Sequence, residues 1–125
     1  MRIENSSERD RLPPGVEMFA INGPFFFGVA GELLDALKRI GSSPQLIILR
    51  LEQVPFLDAS GALALEEFLE ETGHEGIRVI LCGVRPDLRL LLGTLVEAKS
   101  RTALLYAADY SAALDLARKE PAYRG

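Results

Sequence analysis

The chain has 125 residues, 48% of them hydrophobic, and its 14 basic and 18 acidic side chains leave a formal net charge of −4. That length and apolar content fit one domain with a core that needs no disulfide or metal, and exclude the composition of a disordered chain. An acidic balance with no basic run and no aromatic–basic stripe excludes general nucleic-acid binding.

No apolar stretch reaches the ~20 residues that span a bilayer. The most apolar region, Met18 to Gly31, is interrupted by Asn22, Gly23, Pro24 and Gly28. Met1 to Asp10 is charged and has no apolar signal core, so a soluble domain without a secretion signal is expected. The single cysteine, Cys82, fits a reducing compartment and is expected to be buried as a small apolar residue.

In chain order, residues 1–14 read as a polar linker closed by Pro13-Pro14-Gly15. Val16 to Ile21 has a strand's length, although its apolar residues do not alternate cleanly. Gly23-Pro24 breaks that strand. From Val29 to Ile40, apolar Val29, Leu33, Leu34, Leu37 and Ile40 recur at helical spacing, and Gly41 stands where a C-terminal cap belongs. Leu46-Ile47-Ile48-Leu49, within Gln45 to Leu51, is apolar on both faces, as in a central parallel strand covered by helices.

A helix over about Ser60 to Thr72 buries Ala62, Leu65, Phe68 and Leu69, and the turn Gly73 to Gly76 leads to a strand over Ile77 to Cys82. Pro86 suits the first turn of a short helix carrying Leu88, Leu91 and Leu92 and ending near Gly93. Thr102 to Tyr106 reads as the last strand, and Asp109 caps a helix with Ala113, Leu114 and Ala117 on one side. Alternating strands and helices with short connections imply right-handed crossovers. The expected fold is α/β, with a small, mostly parallel sheet of four or five strands and about four helices.

Phe56-Leu57-Asp58-Ala59-Ser60-Gly61 joins the buried strand to the next helix, so a strand end and a helix start meet at one aspartate and one serine. Asp58 can accept orphan N–H groups at the positive end of the helix dipole, and Ser60 lies in or beside the first turn, where a phosphate is tolerated. A plain cap between strand and helix explains the same residues.

Further along this helix, Glu66, Glu67, Glu70 and Glu71 form two like-charge pairs at i and i+4, toward the end that the dipole disfavours. They read as a solvated face or as a docking surface for a basic partner. In the extended run Phe25-Phe26-Phe27, alternation turns Phe26 away from its neighbours, which makes it a docking candidate beside the aspartate loop; core packing of all three under a helix explains the same run.

Catalytic and cofactor patterns are missing from the sequence. His74 is the one histidine, set in a glycine-flanked turn; there is no G-x-S-x-G elbow at Ser60, no phosphate-binding glycine loop and no G-x-G-x-x-G. No enzyme activity, metal or cofactor is expected.

Strand, Phe-Leu-Asp-x-Ser-Gly, then amphipathic helix resembles the signature loop of STAS domains. That family holds the bacterial anti-sigma-factor antagonists and the cytoplasmic C-terminal domains of SulP-type anion transporters. The resemblance runs from Gly15 to about Arg118 and includes Gly76 to Gly83, the short helix after Arg85-Pro86 and the closing helix from Asp109. It implies a STAS domain over residues 15–120, a tail over 121–125, and a partner-binding loop formed by Asp58, Ala59, Ser60 and Gly61.

Three features resemble the transporter branch. They are Gly23-Pro24-Phe25-Phe26-Phe27-Gly28; Ile48-Leu49-Arg50-Leu51 followed by Val54-Pro55-Phe56; and Ala59, where antagonists carry their phosphate-accepting serine. The resemblance therefore implies a regulatory domain on the cytoplasmic side of a bacterial membrane. Its partners would be the transmembrane domain of its own sulfate or anion transporter, a cytosolic protein, or a second copy in a homodimer of the parent. The alternative is a free-standing antagonist in a partner-switching pathway, with Ser60 as the remaining phosphosite candidate.

Overall fold

The computed structural model describes residues 2–5, 12–23, 28–40, 44–55, 59–86, 89–90 and 104–119. Five strands form one sheet in the order β1 (Arg2–Asn5), β2 (Val16–Asn22), β3 (Leu46–Gln53), β4 (Arg78–Cys82) and β5 (Leu104–Ala107). β1 runs antiparallel to β2, and the remaining neighbours are parallel. Three helices are described: α1 (Val29–Ile40), α2 (Ala59–His74) and α3 (Tyr110–Lys119). Pro86 and residues 89–90 are also helical, at the place expected for the short helix.

β3 explains the arrangement. Leu46, Ile47, Ile48 and Leu49 are all fully buried, so successive side chains pointing to opposite faces both need cover. On one face Phe19, Ile21, Ile47, Leu49, Val79 and Leu81 pack with Val29, Leu33, Leu65 and Phe68 of α1 and α2. On the other, Val16, Met18, Leu46, Ile48, Ile80 and Cys82 pack with Ala113 and Ala117 of α3. β2 lacks clean alternation for the same reason, since the neighbours Met18 and Phe19 are buried on opposite faces.

The end of α2 and the start of α3 each have a local cause. Thr72 is buried, and its hydroxyl donates to the Leu69 carbonyl at 2.9 Å. Gly76 takes a positive φ of 74°, while the Ile77 amide returns to the Thr72 carbonyl at 2.9 Å, so the chain reverses into β4. At the start of α3, the Ala112 amide donates to Asp109 Oδ1 at 2.9 Å, the cap the sequence implies.

One expectation needs correction. Part of the segment read as a linker is structured: Arg2–Asn5 form the edge strand β1, and Leu12 is buried in the α3-side core. Four residues offer too few alternations to register as a period, and their partner β2 lies more than ten residues away. The segment Phe25 to Phe27, the C-terminal cap at Gly41 and the region of Leu91, Leu92 and Gly93 lie outside the described residues.

Gly83 is fixed by geometry. It has φ +74°, and a Cβ built there would lie 3.2 Å from the Cα of Glu52 and overlap the Glu52 side chain. Gly83→Ala is therefore expected to lower unfolding free energy by about 2 kcal/mol or more, from left-handed backbone strain plus overpacking. Urea denaturation checks this, and a loss below about 0.5 kcal/mol would contradict it.

Candidate functional site

The strand-to-helix junction after β3 puts the head of α2 at the carboxyl edge of the parallel sheet. Ala59 and Ser60 open the helix and are exposed, whereas Gly61 and Ala62 are buried, so the family segment turns from surface to core within one helical turn. Phe56, Leu57 and Asp58 lie outside the described residues, as does Phe26. The cap proposed for Asp58 and the outward turn proposed for Phe26 are thus not placed.

Helical phase divides α2 cleanly. Ala62, Leu65, Phe68, Leu69 and Thr72 face the core, and Ser60, Leu63, Glu67, Glu70, Glu71 and His74 are exposed. Glu66 is half-buried, so it stands apart from Glu67 and Glu70. The outward ridge is acidic, with an apolar residue near its head: Leu63 is 54% exposed. Sequence analysis did not single out Leu63. Its signal was phase, since it falls about 100° from Ala62 and off the buried stripe.

Ser60 and His74 mark opposite ends of this one helix. Fourteen residues at 1.5 Å each separate them by about 21 Å along the axis. They cannot share a proton, so a serine–histidine pair on α2 is excluded by geometry.

The loop after β4 meets the same edge. Arg85 Nη1 donates to the Pro55 carbonyl at 3.0 Å, tying the start of the short helix to the β3–α2 connection. Leu90 on that short helix is 76% exposed. Among the described residues, no group of three or more histidine, cysteine or acidic side chains could hold a metal ion. No described helix is long and apolar enough to cross a membrane.

On the α3 side, Arg50 carries the charge where β3 leaves the core. Its Nε donates to Glu52 Oε1 at 2.6 Å, and its guanidinium lies 4.5 Å from the centre of the Tyr110 ring. The hydrogen bond to Glu52 outweighs desolvation and raises the Arg50 pKa. Burial pushes the Cys82 thiol up to about 12, with Glu52 adding to the shift and Arg50 opposing it.

A STAS domain family model matches residues 10–97. The sulfate transporter family protein from Wolinella succinogenes has a similar crystal structure, with 35% identity and a TM-score of 0.69 over 90% of this chain and 93% of that one. The SulP transporter STAS domain from Vibrio cholerae is 29% identical, with a TM-score of 0.69 over 86% of this chain and 84% of that one. Moorella thermoacetica RsbS shares the fold, at 15% identity and a TM-score of 0.69 over 94% and 96% of the two chains. YvdB of Bacillus subtilis (strain 168), provisionally named a sulfate transporter, is 28% identical over 83 residues. That match spans 66% of this chain and only 16% of YvdB.

The raised pKa and burial make a chemical prediction about Cys82. In the folded domain at pH 8 the thiol stays protonated and enclosed, so a thiol-reactive chromogenic disulfide should modify it only as the protein unfolds. Rapid stoichiometric labelling under native conditions would contradict the burial.

Proposed function

Because the chain belongs to the STAS domain family, we propose that it serves as the cytoplasmic regulatory domain of a bacterial SulP-type sulfate or anion transporter. It acts by contact rather than catalysis. Its first partner is the transmembrane domain of its own transporter, with a cytosolic protein and a second parent copy as further partners.

The observation that carries this reading is the outward face of α2. Leu63, Glu67, Glu70 and Glu71 project from a helix whose other face is locked into the core. Like charges at i and i+4, placed near the negative end of the dipole, cost the helix stability. They become favourable opposite a basic surface. Cytoplasmic loops of polytopic membrane proteins carry an excess of lysine and arginine, which supplies such a surface. Leu63 gives the contact an apolar anchor, and Asp58 and Phe26 extend the proposed surface on sequence grounds.

A free-standing antagonist is the second reading, favoured by one feature: Ser60 is an exposed hydroxyl at a helix head, next to the position where antagonists accept phosphate. Ala59 has no hydroxyl, and one residue's shift turns a side chain by about 100°. A kinase presenting ATP to the earlier position would find Ser60 misdirected.

Two measurements separate the readings. In the native reading frame, several apolar segments of ~20 residues should precede this domain; a stop codon and separate ribosome site just before Met1 would favour the antagonist. Incubation with an antagonist kinase and ATP, read by intact mass, should leave the domain unmodified and phosphorylate it only after Ala59→Ser. Stoichiometric phosphate on Ser60 of the unaltered chain would overturn the claim that this loop is not a phosphorylation switch and would favour the antagonist reading.

A further inference from the structure

The carboxyl ends of β2 and β3 enclose a cavity of about 110 Å³, lined by Ala20, Ile21, Asn22, Arg50, Glu52 and Gln53. None of its lining residues belongs to α2, and three separate observations converge on it. The first is the pairing: Ala20 is opposite Arg50 but Asn22 is opposite Gln53, so two residues of β3 face one of β2. A bulge of this kind bends the strand and re-aims side chains, and bulges are over-represented beside functional sites.

The second observation is the support behind Arg50. Its Nε is held by Glu52 at 2.6 Å, and its plane rests 4.5 Å from the Tyr110 ring centre. Glu52 in turn is backed by Gly83, where even a methyl group would collide with it. Arg50 is one-third exposed and Glu52 one-quarter exposed, so the pair is neither sealed nor loosely solvated.

The third is what remains available on Arg50. Among the described residues, the guanidinium contacts are Glu52 and Tyr110, which engage Nε and the ring face. The two terminal nitrogens are left as a pre-oriented fork, and Asn22 lines the same cavity. A planar carboxylate accepts two parallel N–H bonds from such a fork. Glu52 offsets the Arg50 charge, so the site has little net attraction to set against the larger desolvation cost of a dianion, which favours a monoanion. The cavity has room for a few waters, hence for a small ligand only.

We propose that this notch is a binding site for a small monovalent carboxylate, held bidentately by Arg50 with Asn22 as an additional donor. The proposal is independent of whether the domain belongs to a transporter or an antagonist.

Nuclear magnetic resonance titration of the domain with sodium acetate, at ionic strength held constant with chloride, tests it. Saturable shifts are expected at the Arg50 Nε–H and at the Asn22 and Gln53 side-chain amides, with apparent affinity at least about 10-fold weaker in Arg50→Met. Arg50→Lys, which keeps the charge but lacks the fork, should weaken binding to a similar extent. It decides the matter if Arg50→Met fails to give a folded spectrum. Equal shifts when chloride is varied instead, or acetate binding that survives in Arg50→Lys, would overturn the proposal. Sulfate binding as tightly as acetate would overturn the carboxylate assignment.

Discussion

Two-sided burial of β3 is the constraint on which the rest of this molecule depends. A strand whose four consecutive residues Leu46 to Leu49 are all removed from water must lie inside a sheet with cover on each face. α1 and α2 supply one layer and α3 the other. Burying an aliphatic side chain is worth about 1.5–3 kcal/mol, so this short run is a large term in a fold of marginal stability. The sheet order follows chain order, and the crossover from β3 to β4 places the head of α2 at the carboxyl edge.

Both proposed binding surfaces lie where that burial stops. At Arg50 the strand turns polar on its α3 face while Leu51 stays buried on the other, and the α3-side layer ends on the polar contacts of Arg50, Glu52 and Tyr110. On the other side of the same junction, α2 begins with exposed Ala59 and Ser60 before Gly61 and Ala62 enter the core. The acidic ridge and Leu63 are thus held on a rigid element rather than a loop. A docking face built this way loses little conformational entropy on binding.

Most of the architecture was legible because its signals are strong and local. Helix α1 matched its apolar period from Val29 to Ile40, and β3 announced itself as a four-residue apolar run. β1 was not legible: a four-residue edge strand has no period to count, and its pairing with β2 is decided by tertiary contact. At the site, the exposed phase of Glu67 and Glu70 could be read from the sequence, but the half-buried position of Glu66 and the isolation of Leu63 depend on how α2 seats on the sheet. The Arg50–Glu52–Tyr110 arrangement was invisible because Tyr110 comes from a helix 60 residues later in the chain. Local pattern carries no information about that meeting.

The central functional claim is that the outer face of α2 is covered by a partner in the intact transporter. In the isolated domain buried Cys82 leaves no background for a membrane-impermeant thiol reagent, and in the full protein the parent without the added cysteine supplies the baseline to subtract from cysteines introduced at Leu63, Glu67 and Glu70. The measurement is the labelling rate at each position in the isolated domain and in the full membrane protein. The account predicts rapid labelling in the isolated domain and at least about 10-fold slower labelling in the full protein, with an exposed control at Asp115 unchanged. Equal rates at Leu63→Cys, Glu67→Cys and Glu70→Cys in the two settings would contradict it.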